Sequence, residues 1–438
     1  MKAHRFIHVL ALLAILLASC TPAATTVAPT VAPAATQPPA ATEPPAATQP
    51  PVATEPPAAT PKPAGPPAAC AADPFGCAKI PAGQTVKIGS GAPMTGDNAA
   101  FGIDISQGGK IAITDAGDVL GWKFELVAQD DGGSAEGGAA VANKFAADPT
   151  VVAIAGHIFS GATAAAIPIY EKVGYPMLSP SATLPSLTTN GSKVFNRIPF
   201  TDATQAKLSA QYMGKNLKFT KIAILHDGSP YGKGLATLVQ TNFAQYGTVT
   251  SFDAINTGES DYTAILSKAA ANKPEALFFG GYTGDGVVLA NQMKQSGLTG
   301  VVFFGCDGTF GADFITRAAA NAEGAYAVTL EGPPSPANTA FNAGYKIAYG
   351  KDPGTLSPYT WNGYDVVAAL ASVAKKVAIK GDDGNLYVPR SAMVAGVRGL
   401  KDYKGLSGTF TCDATGECNS SGPTYVVVKA GKWVAATQ

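Results

Sequence analysis

Histidine is nearly missing from this chain. Only four occur in 438 residues, and His4 and His8 lie in the first ten positions, leaving His157 and His226 for the rest. Histidine is the commonest general base and metal ligand near neutral pH. Two of them, with no HExxH, no GxSxG and no zinc-spaced CxxC, offer neither an activated nucleophile nor a metal set. Gly89-Ser90-Gly91-Ala92-Pro93-Met94 begins like a dinucleotide fingerprint but lacks the third glycine, and Asp382-Asp383-Gly384 is too sparse for a calcium loop. The chain reads as a non-enzyme that needs no cofactor and no metal. Charge is scarce too. Asp, Glu, Lys and Arg supply 14% of residues and cancel to zero, where about a quarter is usual. No basic face stands out, which argues against a nucleic-acid partner.

Long apolar runs are also absent. Ile7–Leu17 is too short to span a bilayer and follows the basic Lys2, His4 and Arg5. That is the pattern of an export signal, here residues 1–19. It closes on Leu17-Ala18-Ser19-Cys20, which resembles the bacterial lipobox, where cleavage leaves the cysteine N-terminal and lipidated. The expectation is an extracytoplasmic protein held to the cell membrane through Cys20. Residues 20–84 then read as a lipid-anchored linker. Thr21–Pro67 is almost all Pro, Ala and Thr, with near-repeats such as Gln37-Pro38-Pro39-Ala40-Ala41-Thr42. Nothing in it can pack a core, and at ~3.1 Å per residue in polyproline II it could reach ~100 Å.

Cysteine is sparse, at six, and suits an oxidising compartment. Cys70 and Cys77 are close in sequence, as are Cys412 and Cys418, so each pair could close a small disulfide loop. Cys306 is left over, in an apolar setting that predicts burial.

What the chain has in quantity is alternation. From about Thr85, short apolar runs (Val86–Ser90, Phe124–Gln129, Val151–Ala155, Met177–Ser179, Ile222–His226, Val249–Ala254, Ala276–Gly280, Val301–Phe304, Ala325–Thr329) take turns with helical stretches such as Ala135–Ala146 and Asp365–Ala378. Continuous apolar strands separated by helices predict doubly wound parallel sheets. Two series are visible, one from Val86 and one from Lys221, with a break at Asn196-Arg197-Ile198-Pro199-Phe200. Chain left over after Gly332 must return. The expected fold is α/β with two doubly wound lobes and a cleft between them. Lobe 1 is 85–203 with 332–405, and lobe 2 is 204–331 with 406–438.

In such sheets ligands bind beyond the carboxyl ends of strands. Two of those ends carry small hydroxylated loops, His157-Ile158-Phe159-Ser160-Gly161 and Ser179-Pro180-Ser181-Ala182-Thr183. Ser160 and Gly161 open a helix, so free backbone N–H groups face a ligand there. Hydroxyls beside an anion site suit a carboxylate and an ammonium, the two ends of a free amino acid. Ser160 would also serve as a plain helix cap, Thr183 as a turn hydroxyl and Phe101 as core packing. His157 reads as a structural hydrogen-bonder.

In order along the globular region, Pro93-Met94-Thr95-Gly96, Phe101-Gly102, Asp130-Asp131, Gly156-His157, Ser179–Leu187, His226-Asp227, Tyr231-Gly232, Gly280-Gly281-Tyr282, Gly305–Gly308 and Tyr364-Asp365 resemble the solute-binding proteins of branched-chain amino acid ABC importers, periplasmic binding protein class I. The resemblance implies that Ser160 and its neighbouring N–H groups, Gly161 among them, hold a carboxylate with help from the Thr183 backbone. It gives the ammonium to the Ser181 carbonyl, the Thr183 hydroxyl and Asp307. Phe101, Ile158, Tyr231 and Tyr282 would frame the side-chain pocket, and Ala182 is counted among the ligand-binding residues. It further implies delivery to ABC permease subunits by a monomer. Two departures stand out: Phe159 where the family often has cysteine, and Asp307 where it often has a longer acid. The alternatives are a tethered ligand sensor, or the same scaffold holding an amide, urea or a small carboxylate.

Overall fold

The computed structural model describes residues 65–330 and 332–436. The export signal, Cys20 and the proline repeats lie outside the described residues. Folded chain begins sooner than the sequence suggests. Ala68–Ala72 is a short helix, joined through the Cys70–Cys77 disulfide to strand β1 (Cys77–Ile80). Ala78 and Ile80 are fully buried in the lobe 1 core. The expected linker 20–84 is therefore too long at its C-terminal end. A four-residue strand with two inward side chains leaves little trace beside a proline-rich tract.

The first sheet follows in chain order as β2 (Val86–Ala92), β3 (Asp118–Val119), β4 (Trp122–Asp130), β5 (Val151–Ala155), β6 (Met177–Ser179) and β7 (Phe195–Arg197). Its spatial order is β3-β4-β2-β5-β6-β7, parallel except for the β3 edge. Every residue of β5 is buried. Val151 and Ile154 pack with Phe145 and Tyr170, whereas Val152 and Ala155 pack with Ile88 and Leu370. Helices cover both faces, which is why the strands read as unbroken apolar runs. The helix Ala135–Ala146 starts where the Ser134 side chain accepts from the Gly137 N–H.

The chain crosses after Ile198 into helix Asp202–Gln211, capped by Thr201. The second sheet is laid down as β8 (Lys221–His226), β9 (Thr248–Ala254), β10 (Ala276–Gly280), β11 (Val302–Phe304) and β12 (Tyr326–Thr329). Helix Pro230–Phe243 has Ser229 as its cap and proline in its first turn, where a missing N–H costs nothing. The chain then returns. Helix Thr360–Val377 packs along helix Ala99–Ala116 in lobe 1. β13 (Ile379–Lys380) and β14 (Leu386–Pro389) complete a small antiparallel sheet with β1, followed by the hairpin β15 (Tyr403–Lys404) and β16 (Thr409–Phe410). Finally β17 (Thr424–Lys429) and β18 (Lys432–Ala435) extend the second sheet, in the order β18-β17-β12-β11-β10-β8-β9.

That last crossing falls later than the expected residue 406. Phe410 and Cys418 sit in the lobe 1 core, and the Cys418 and Ser420 N–H groups donate to the carbonyls of Arg197 and Ile198. The Cys412–Cys418 disulfide closes this segment. Cys306 is free and buried. No helix among the described residues is long and apolar enough to cross a membrane.

Candidate ligand-binding cleft

Both sheets aim their carboxyl ends at one region between the lobes. From lobe 1 come the loops after β5 and β6. Ser160 is the first residue of helix Ser160–Val173 and is buried. It caps nothing in its own helix; its Oγ accepts from the Leu184 N–H at 3.3 Å, tying the two loops together. Ser181 Oγ donates to the Ile158 carbonyl at 2.7 Å. That hydroxyl is spent on shaping the loops, which leaves the Ser181 backbone as the group able to reach a ligand. Ala182 is fully buried, and Gly161 lies 3.5 Å, measured from an added Cβ, from Pro230 of lobe 2. Ile158 and Phe101 are buried in an apolar cluster that also holds Tyr359. His157 bridges Asp131 (2.8 Å) and the Tyr170 hydroxyl (3.0 Å) beneath the loop, the structural part expected of it.

From lobe 2 come Tyr231, Tyr282 and Asp307, all buried or nearly so. Tyr231 donates to one oxygen of Asp307 at 2.5 Å, and Tyr359 donates to the other at 2.8 Å. Tyr359 precedes a lobe 1 helix, so this second bond spans the cleft. The aromatic rings span it too. Phe159 stacks on Tyr282 at 3.8 Å between centroids, Tyr282 lies 5.1 Å from Tyr231, and Phe101 lies 5.6 Å from Phe159.

Sequence reasoning missed four contributors. Tyr359 carried no signal, because only the return of the chain brings it to Asp307. Arg197 was passed over as part of the interlobe break. It is fully buried, donates to the Ala182 (3.1 Å) and Leu184 (2.7 Å) carbonyls, and pairs with Glu417 at 2.5 Å. It therefore clamps the Thr183 loop from behind. Asp202 and Gln205, three apart on one helix face, read as ordinary first-turn residues. Both are fully buried, and neither carboxylate oxygen of Asp202 nor either amide atom of Gln205 has a hydrogen-bond partner. The Thr183 hydroxyl is unpartnered as well. The Thr183 hydroxyl faces Asp202 and the Gln205 amide faces Asp307, beyond ordinary hydrogen-bond length, so the cleft gathers buried polar groups with capacity left for a polar ligand.

The electrostatics agree. Burial pushes the Asp307 carboxyl above its ordinary range, while the bonds from Tyr231 and Tyr359 and the nearby Gln205 amide pull it back. Asp202 is pushed up to about 8, by burial first and then by the neighbouring Asp307 charge. Burial and the same two acids hold the phenols of Tyr231, Tyr282 and Tyr359 well above their ordinary range, so they stay donors. Burial lifts the Cys306 thiol to about 12, which makes it unreactive. The cluster has acidic groups and donors for a zwitterion but no activated nucleophile.

Known proteins share this fold. A family model described as periplasmic binding protein matches residues 85–432. The Leu/Ile/Val-binding protein homolog 1 of Brucella suis biovar 1 (strain 1330) is 34% identical over 295 residues, 66% of this chain and 78% of that protein. The crystal structure of the leucine-binding protein LivK from Thermotoga maritima is similar at a TM-score of 0.72 and 27% identity, over 81% of this chain and 98% of that one. LivJ of Streptococcus pneumoniae, a branched-chain amino acid transporter substrate-binding protein in complex with isoleucine, matches at 0.71 and 27%, over 80% and 98%. With strand-end loops of two parallel-sheet lobes facing one polar cleft, and with these matches across nearly the whole globular region, the chain belongs to the periplasmic binding protein family, among the type I substrate-binding proteins of branched-chain amino acid ABC transporters.

Proposed function

We propose that this protein captures a branched-chain or other small amino acid by closing its lobes, and hands it to membrane permease subunits as a monomer tethered through Cys20. The observation that carries the reading is the convergence of unpartnered buried polar atoms, on Thr183, Asp202 and Gln205, with Asp307 and the start of helix Ser160–Val173. Ser160, Gly161 and the Thr183 backbone would take the carboxylate. Asp307, the Thr183 hydroxyl and the Ser181 carbonyl would take the ammonium through charge-assisted bonds. Phe101, Ile158, Ala182, Tyr231 and Tyr282 would line the side-chain compartment, with Phe159 and Tyr359 added to them.

The test is a melting-point screen over amino acids, amides, urea and small carboxylates. A ligand specific to the folded state adds ~2.7 kcal/mol of stability at a hundredfold excess over Kd. L-isoleucine, L-alanine or L-threonine should raise the melting point. A shift from urea or a carboxylate alone would overturn the amino-acid reading. Tethering is checked separately, because Cys20→Ala should move the protein from the membrane fraction to the soluble one.

A further inference from the structure

Phe159 occupies the N-cap of helix Ser160–Val173 and makes no side-chain cap there, at a position where a small polar residue is the rule. Its ring lies across the side-chain compartment instead. It stacks on Tyr282 of lobe 2 with centroids 3.8 Å apart and planes 13° from parallel, and it meets Phe101 edge-on at 5.6 Å. Ile158 belongs to the same buried apolar cluster. Three of the four residues expected to frame the compartment are therefore already grouped around this ring. Carbon atoms in contact sit about 3.5–4.0 Å apart, so a branched side chain slipped between Phe159 and Tyr282 would need the two rings about 7–8 Å apart. The ring has no room to retreat. Behind it lies Gly133, where an added Cβ would come within 2.6 Å of the ring. The Gly133 backbone also has φ +68°, which disfavours any side chain. One carboxylate fixes both this seat and the loop that bears the ring. Asp131 accepts from the Gly133 N–H at 2.9 Å through one oxygen, and holds His157, two residues before Phe159, at 2.8 Å through the other.

We propose that Phe159 sets the size limit of the site. Its ring fills the space that a branched or aromatic side chain would take, so the ligands that fit best are the smallest α-amino acids: glycine, L-alanine and L-serine. This rests on the amino-acid reading above and narrows it. Carboxylate and ammonium are common to every amino acid, so discrimination falls to the wall that the side chain meets. A methyl or hydroxymethyl group leaves the stack of Phe159 on Tyr282 closed. Leucine or isoleucine must part it. The stack joins a lobe 1 ring to a lobe 2 ring, so parting it also opposes closure of the lobes. Gly133 is the positioning residue, because only a residue without a side chain gives the ring its seat.

Isothermal titration of the full chain with glycine, L-alanine, L-serine, L-leucine, L-isoleucine and L-phenylalanine tests this, on the wild type and on Phe159→Leu and Phe159→Ala. The wild type should bind L-alanine or L-serine at least about tenfold more tightly than L-leucine or L-isoleucine, the scale set by a misfit of one methylene in an apolar pocket. Phe159→Ala should gain about tenfold or more for L-leucine and reverse the order, with Phe159→Leu in between. Both variants should melt lower, because they lose ring packing. A merely structural role would weaken all ligands together and keep their order, and that result would overturn the proposal. So would a wild type that prefers L-leucine, L-isoleucine or L-phenylalanine; either outcome leaves the receptor reading standing. If no amino acid binds, the receptor reading fails and takes this one with it. Should Phe159→Ala not fold, Phe159→Leu and the wild-type order decide.

Discussion

Asp307 is held by two phenols, one from each lobe, and this sets what its removal would do. If Asp307 takes the ligand ammonium as proposed, Asp307→Ala removes one member of a buried charge pair, which costs ~2–5 kcal/mol, or roughly thirtyfold to several-thousandfold in affinity. It also strands the Tyr359 hydroxyl, at about 1–3 kcal/mol for an unsatisfied donor, while the Tyr231 hydroxyl keeps the Cys306 sulfur as an acceptor at 3.1 Å. The variant should therefore melt lower even without ligand. Asp307→Asn keeps one acceptor oxygen and should lose less of both. Calorimetric titration with L-isoleucine and a melting curve of each variant check the two effects separately. Unchanged affinity for an amino acid in Asp307→Ala would place the ammonium elsewhere. At this scale Ser160 and Thr183 stand out in the sequence because they sit at strand ends in loops of small residues, whereas Asp307 is singled out only by the family resemblance. The sequence hid Tyr359 and Arg197, whose roles depend on partners 52 and 220 residues away.

Among elements, the least visible was β1. It pairs antiparallel with β14 from Cys77↔Pro389 to Ile80↔Leu386, and the Trp122 indole donates to the adjoining Pro81 carbonyl at 3.0 Å. A chain beginning at Gly83 would lose this strand and the Cys70–Cys77 loop, leaving β14 with an open edge. Burying a side chain the size of Ile80 is worth about 1.5–3 kcal/mol. That truncation should melt several degrees below the full chain, whereas one beginning at Gly65 should match it. Equal melting points for the two would mean that β1 contributes nothing to the fold. The long parallel strands and the helices beside them were legible because burial on both faces writes an unbroken apolar run. The two-residue strands β3, β13, β15 and β16 carry no such pattern, and their pairing is set by what they meet.

For the whole molecule, buried acids decide how stability follows pH; burial raises Asp104 and Asp307 as well as the three with the largest effect. Asp202 titrates at about 8, and Asp227 and Asp365 at about 6, each raised mainly by burial from an ordinary 3.8. Between those limits the native state holds protons that the unfolded chain has released. Stability is then lost as pH rises. His226, lowered by burial, acts the other way near neutrality. Acids lowered by hydrogen bonds, such as Asp130 and Asp413, matter only on the acid side. The ligand-free protein should thus melt highest in mild acid and fall towards pH 8, with each tenfold change in one group's acidity on folding worth about 1.4 kcal/mol. Melting curves from pH 4.5 to 8.5 test this. Asp202→Asn should flatten the slope between pH 6 and 8, and a wild-type melting point that climbs across that range would contradict the assignment.

The sequence alone determined the α/β class, the two strand series and the strand-end loops of the cleft, because each of these is a local pattern: apolar runs, helical stretches and small hydroxylated turns. Tertiary structure alone decided the rest. It carried Phe410 and Cys418 back to lobe 1, set Tyr359 across the cleft on Asp307, used the Ser181 hydroxyl to brace a loop, and left Asp202 and Gln205 buried without partners. Burial and partnership belong to a residue's surroundings in space. An aspartate in the first turn of a helix reads the same in sequence whether water or a sealed cleft lies beyond it, and only the packing of both lobes around Asp202 raises the energy of its charge.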